Sequence, residues 1–161
     1  MAKIVVGLAL VVFCGFCGYL LTKKYRLRKD FFRQYAQFNR NFLSEIAFSR
    51  RPIESVIKNG AYSGDFESLI NSFLTALKNG DTKLLSMAFP DFLDADEKTF
   101  VEEYFAYLGR GDSAGQKGYF AIADQTIAQK KDESEKLSKK YVDLYVKMGI
   151  LLGLALLIVL L

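Results

Sequence analysis

Histidine and tryptophan are missing from the 161 residues, and proline and cysteine occur only twice each. Without histidine, the usual general base of an acyl-transfer triad is gone, and so is the ligand that would join the cysteines in a zinc site. Cys14 and Cys17 both fall inside the first apolar stretch, one helical turn apart, where they read as packing residues; no cysteine in the polar part of the chain offers a disulfide framework. Alternating strand patterns and internal repeats are absent too. Gly109, Gly111, Gly115 and Gly118 lack the GKT or GKS ending of a phosphate loop and join helix to helix instead. Carboxylates cluster at Asp91, Asp94, Asp96, Glu102 and Glu103, but capping, helix-start charge and a solvated face account for them. The expectation is a protein that is not an enzyme, with no catalytic residue, cofactor or metal.

What the sequence does have is two long apolar runs. Ile4 to Leu21 is unbroken by charge and, at 1.5 Å per residue, about eighteen residues reach across a hydrocarbon core of roughly 30 Å. A cleaved signal peptide is the rival reading, but the run is long for one, only Lys3 precedes it, and no A-x-A site follows. Met148 to Leu161 is shorter, at about fourteen residues. The helical pattern enters it from Tyr141, and Lys147 can snorkel to the headgroups, so a tilted or thinned span fits better than a buried core helix. Gly149 and Gly153 form a GxxxG there, with Cys14 and Gly18 at the same spacing in the first run, the small-residue spacing of close helix packing within the chain or against a partner.

The formal charge of +4 lies mainly beside these runs, where anionic lipid headgroups attract it, and does not point to nucleic acid. Lys23, Lys24, Arg26, Arg28, Lys29 and Arg33 follow the first run against Lys3 before it; Lys136, Lys139, Lys140 and Lys147 precede the second against none after it. Both asymmetries predict a cytoplasmic centre with both termini outside. The expected organisation is a transmembrane helix over 1–22, a cytoplasmic helical bundle over 23–147 and a second transmembrane helix over 148–161.

Between the runs, spacing predicts an all-α bundle of about six helices. Phe31, Tyr35, Phe38, Phe42 and Ile46 share one face of a helix continuing past Thr22 and stopped at Arg51-Pro52. A short helix follows over 52–59. The next starts at Ser63 or Asp65, turns Phe66, Leu69, Ile70, Phe73, Leu74 and Leu77 inward and ends at Asn79-Gly80. Thr82 to Phe89 fits a fourth, ended by Pro90. Asp94 and Glu97 resemble a capping box opening a fifth, which buries Phe100, Val101, Tyr104, Phe105 and Leu108. From Asp112 a single pattern of about fifty residues runs into the second apolar stretch through a mixed-charge middle, Lys130 to Lys140, expected as a solvated helix near the membrane surface.

Three blocks in order carry a resemblance: Glu45-Ile46 with Pro52-Ile53-Glu54, then Leu108-Gly109-x-x-Asp112-x-x-x-Gln116, then Lys147-Met148-Gly149-Ile150-Leu151-Leu152-Gly153. Together they look like the stage III sporulation protein AB family of endospore-forming bacteria, over essentially the whole chain. The chain departs from that family's pattern in having Phe48 where tyrosine is frequent, Ile53 where leucine is, and no tryptophan. The family is itself similar to the inner-membrane platform protein F of type II secretion, whose cytoplasmic helical bundles dock an ATPase.

The resemblance implies a multi-pass protein of the mother-cell membrane around the forespore. Its role would be as an assembly platform of the secretion-like channel complex, with membrane lipid, the ATPase-like stage III sporulation protein AA and other channel proteins as partners and a homo-oligomer open. A two-span sensor, regulator or scaffold of vegetative cells is the alternative. Leu108, Gly109, Asp112 and Gln116 would fix how two helices meet. Glu45 would pair with an arginine such as Arg50 or Arg51, or stay open for a partner.

Overall fold

The computed structural model describes residues 2–48, 53–79, 89–108 and 113–160; for 2–5, 46–48, 113–116 and 160 it describes the backbone only. Among these residues the only regular structure is helix, with no strand: α1 Ala2–Leu21, α2 Lys23–Phe48, α3 Ile53–Lys58, α4 Gly64–Asn79, α5 Ala95–Leu108 and α6 Ser113–Leu160. The expected helix over 82–89 and the turn at 109–112 lie outside the described residues, apart from Phe89, which is not helical and packs against the core.

The chain forms two compact units, Met1–Lys29 with Glu133–Leu161, and Asp30–Asp132. The divisions fall inside α2 and α6. The second unit has an aromatic core built from the stripe of α2 (Phe31, Tyr35, Phe38, Phe42), the inner face of α4 and α5, and Phe120, Ala123 and Ile127 of α6. Rings meet edge to face: Tyr35 with Tyr104 at 5.0 Å, Phe42 with Phe120 and Tyr104 with Phe120 at 4.9 Å. Positive ring edges on negative faces add about 0.5–1.5 kcal/mol per pair to the burial of area.

Helix boundaries follow local chemistry. The Asp94 Oδ1 accepts the Glu97 N–H at 2.7 Å while Glu97 Oε2 accepts the Asp94 N–H at 3.3 Å, so the capping box at the head of α5 is made in both directions. α4 opens at Gly64, whose φ of +64° is the left-handed conformation that glycine adopts without strain. At the end of α4 the buried stripe passes to Ala76, and Leu77 is 42% exposed rather than inward.

Helicity does not continue straight past Thr22. The axes on either side differ by 43°. Thr22 Oγ1 donates to the Tyr19 carbonyl at 2.7 Å, and its own N–H takes the same carbonyl at 3.2 Å, tightening the ladder to three residues at that point. A threonine hydroxyl bonding back into its own turn bends a helix in this way.

Candidate functional site

In the first unit α1 and α6 pack antiparallel in one steady register. Gly7 lies against Leu157, Gly153 against Val11, Gly149 against Cys14 and Gly15, and Gly18 against Tyr145 and Val146. A β-carbon at Gly149 would stand 2.5 Å from the Cys14 carbonyl oxygen, and one at Gly153 would stand 2.7 Å from Val11 Cα. Neither is physically possible without moving backbone. Gly149 and Gly153 therefore bring the two helices into contact within the chain, the close approach that small residues permit in an apolar setting. Cys14 and Cys17 are free and half-buried along the first of these helices.

That register sets residues 4–21 beside residues 143–160, so the described part of the shorter apolar run is matched throughout by the longer one. Around the apolar part, Phe13, Phe16, Leu151 and Ile158 are more than half exposed, the outward-facing hydrophobic surface that water does not favour. Next to it comes a cluster of tyrosines. Tyr25 of α2 stacks on Tyr141 of α6 with centroids 4.2 Å apart, and Tyr141 lies 6.1 Å from Tyr145. The Arg26 guanidinium sits 3.8 Å over the Tyr19 ring, donates to its hydroxyl and also reaches its carbonyl, so it closes the bend at Thr22.

Charge is segregated between the units. Residues 1–29 and 133–161 carry ten lysines and arginines against three carboxylates, a net +7; residues 30–132 carry twelve against fifteen, a net −3. The modest overall charge conceals a strongly basic unit and a mildly acidic one.

The second unit has a buried polar node that sequence periodicity did not reveal. Asn39 is wholly enclosed. Its Nδ2 donates to Asp124 Oδ1 at 2.8 Å and to the Phe120 carbonyl at 3.3 Å, and its Oδ1 accepts from the Tyr104 hydroxyl at 2.8 Å. One amide thus ties α2, α5 and α6 together. Burial, with smaller contributions from Tyr119, Tyr62 and Asp124, raises the Tyr104 hydroxyl well above the ordinary phenol range, so it stays a donor. Burial raises Tyr35 as well, and its hydroxyl finds no hydrogen-bond partner among the described residues.

Two further ties flank the node. Gln34 clasps the backbone of Ser63 in both directions, at 2.6 and 3.0 Å, and Lys130 Nζ of α6 lies 3.5 Å from the buried Glu97 carboxylate of α5. The available signal for Asn39 was its place one turn from both Tyr35 and Phe42 on the apolar stripe.

Of the residues singled out by the three sequence blocks, Leu108 ends α5 inside the core and Glu45 is half-buried near the end of α2. Ile46 lies on α2 and Gln116 on α6, with side chains outside the described set; Pro52, Gly109 and Asp112 are outside the described residues altogether.

By length and composition, one described helix, the segment Lys117–Val159 of α6, can cross a membrane, and the bent pair α1–α2 makes a second if taken as one span. With the outward apolar surface beside this tyrosine cluster, this defines the class: an all-α, membrane-associated protein. The chain belongs to the stage III sporulation protein AB family, whose family model matches residues 3–161. Membership assigns it a role in stage III of sporulation. No curated protein and no solved structure matches the chain.

Proposed function

We propose that this protein is a non-enzymatic assembly platform in the membrane around the forespore, part of the secretion-like channel complex between mother cell and forespore. The family match over 3–161 carries the proposal. The division into a basic, apolar hairpin and an acidic helical bundle supports it, because such a chain holds a folded domain at a membrane surface. In this reading both apolar runs span the membrane, both termini lie outside, and the bundle faces the cytoplasm. There it recruits an ATPase-like protein, stage III sporulation protein AA, together with other channel components. The hairpin packs against lipid and leaves room for further copies of the chain.

The test is a clean deletion in the source organism, complemented with the wild-type gene and followed by microscopy and spore counts. The expected result is a block after the forespore is engulfed, relieved by the gene, and recovery of an ATPase-like protein after mild crosslinking in sporulating cells. Normal spores, or a growth defect in vegetative cells, would overturn the platform reading and favour a vegetative sensor or regulator.

A further inference from the structure

The tyrosine pair at the base of the hairpin joins residues more than a hundred positions apart, Tyr25 and Tyr141, and brings their basic neighbours with them. Lys24 Nζ lies 5.1 Å from the centre of the Tyr25 ring and Lys140 Nζ lies 5.9 Å from that of Tyr141. Each ammonium therefore rests against one ring of the same two-ring stack. Cation–π attraction positions a lysine without neutralising it, so the outward N–H groups remain able to donate.

The surroundings add charge of the same sign. Lys23, Lys136 and Lys139 are exposed on the same two helices, and among the described residues none of these five lysines has a carboxylate within ion-pair distance. Asp132 and Glu133 lie within a turn of Lys136, Glu135 within a turn of Lys139 and Asp143 within a turn of Lys140, so the lysines outnumber the carboxylates chiefly at Lys23, Lys24 and Lys140. The Lys130–Glu97 and Lys58–Glu54 pairs of the other unit show the contrasting case, lysines matched by carboxylates. Solvent alone would not favour gathering unmatched lysines against one apolar hairpin. A negatively charged headgroup layer does, since each lysine near such a surface gains attraction that falls off within a Debye length.

From this we infer that Tyr25, Tyr141, Lys24 and Lys140 form a binding site for the phosphate of an anionic glycerophospholipid, with Lys23 and Lys139 completing its charge. The stacked rings sit at the depth of the glycerol and ester groups, where tyrosine partitions, and each ammonium donates to the phosphate of the lipid packed on its own side of the stack. The lipid is thereby a selected partner of the hairpin. This inference rests on the membrane reading proposed above.

Full-length protein is reconstituted into vesicles of equal parts phosphatidylglycerol and phosphatidylcholine, extracted gently, and examined by native mass spectrometry for retained phospholipid. Alkaline-carbonate flotation with pure phosphatidylcholine vesicles is run in parallel. The expected result is retained phosphatidylglycerol in preference to phosphatidylcholine, reduced at least about tenfold in the K24Q/K140Q variant. The charge-preserving variant Y25L/Y141L should lose most of it too, while K58Q/K78Q in the bundle should retain it. Retention unchanged in Y25L/Y141L, or lowered equally by K58Q/K78Q, would mean diffuse charge attraction and overturn the site. Protein that floats with phosphatidylcholine yet retains no phosphatidylglycerol overturns the inference alone; protein that is stripped by carbonate overturns the membrane reading beneath it.

Discussion

Asn39, Tyr104 and Tyr35 sit within one aromatic core, yet their polar atoms have opposite fates. Tyr104 donates to Asn39, whereas the Tyr35 hydroxyl is enclosed without a partner among the described residues. An unsatisfied buried hydroxyl costs about 1–3 kcal/mol, so Tyr35→Phe should leave stability unchanged or raise it. Tyr104→Phe should lower it by about 1 kcal/mol, and Asn39→Ala by about 2–4 kcal/mol, because the Ala variant strands Tyr104 and Asp124 together. Chemical denaturation of the purified protein followed by circular dichroism would measure all three. Both tyrosines also carry a pH signature. Their folded-state ionisation lies above the ordinary value of 10.0, so the unfolded chain loses these protons first. The stability they contribute is complete below about pH 10 and falls as pH rises beyond it. Absorbance at 295 nm should show these two titrating only as the helical signal collapses.

At the level of helices, most of what was legible came from spacing and punctuation. The capping box Asp94/Glu97, the stripe of α2 and the start of α4 were readable because a 3.6-residue period and a terminal cap are written in neighbouring residues. The bend at Thr22 was not, since it depends on whether one hydroxyl bonds to solvent or back to Tyr19. Nor was the Asn39 node, whose partners lie 65 and 85 positions away in sequence. The GxxxG of the last run left two options, a contact within the chain or one with a partner, and only the register of α1 on α6 distinguishes them. That register gives a paired test. Gly149→Val should destabilise the protein in detergent by about 1–3 kcal/mol or more, because the new methyl groups meet backbone. Gly118→Ala, on the same helix but with nothing within 4 Å, should instead stabilise it by about 0.5–1 kcal/mol through helix propensity. Thermal melts of the two variants beside the wild type would decide it; destabilisation by both would mean that α6 resists any added side chain.

On the scale of the whole molecule, the two units rest on different physics. The aromatic core of residues 30–132 depends on water to drive burial, while the hairpin keeps its backbone hydrogen bonds internal and stays helical wherever water is excluded. Heating the protein in detergent should therefore abolish the near-ultraviolet tyrosine signal before the far-ultraviolet helical signal is lost. A single coincident transition would argue that the units melt together. The role in sporulation, by contrast, was legible only through the order of three short blocks along the chain, since no constellation of reactive side chains announces it.

The register that sets Gly7 against Leu157 also makes the polypeptide a nearly closed loop, its first and last helical turns side by side. A fluorescent reporter cut in two, one piece on each end, should reassemble inside a single molecule at any dilution. Because such a reporter can be chosen to mature in only one compartment, its glow would test the proposed placement of both ends outside the cytoplasm.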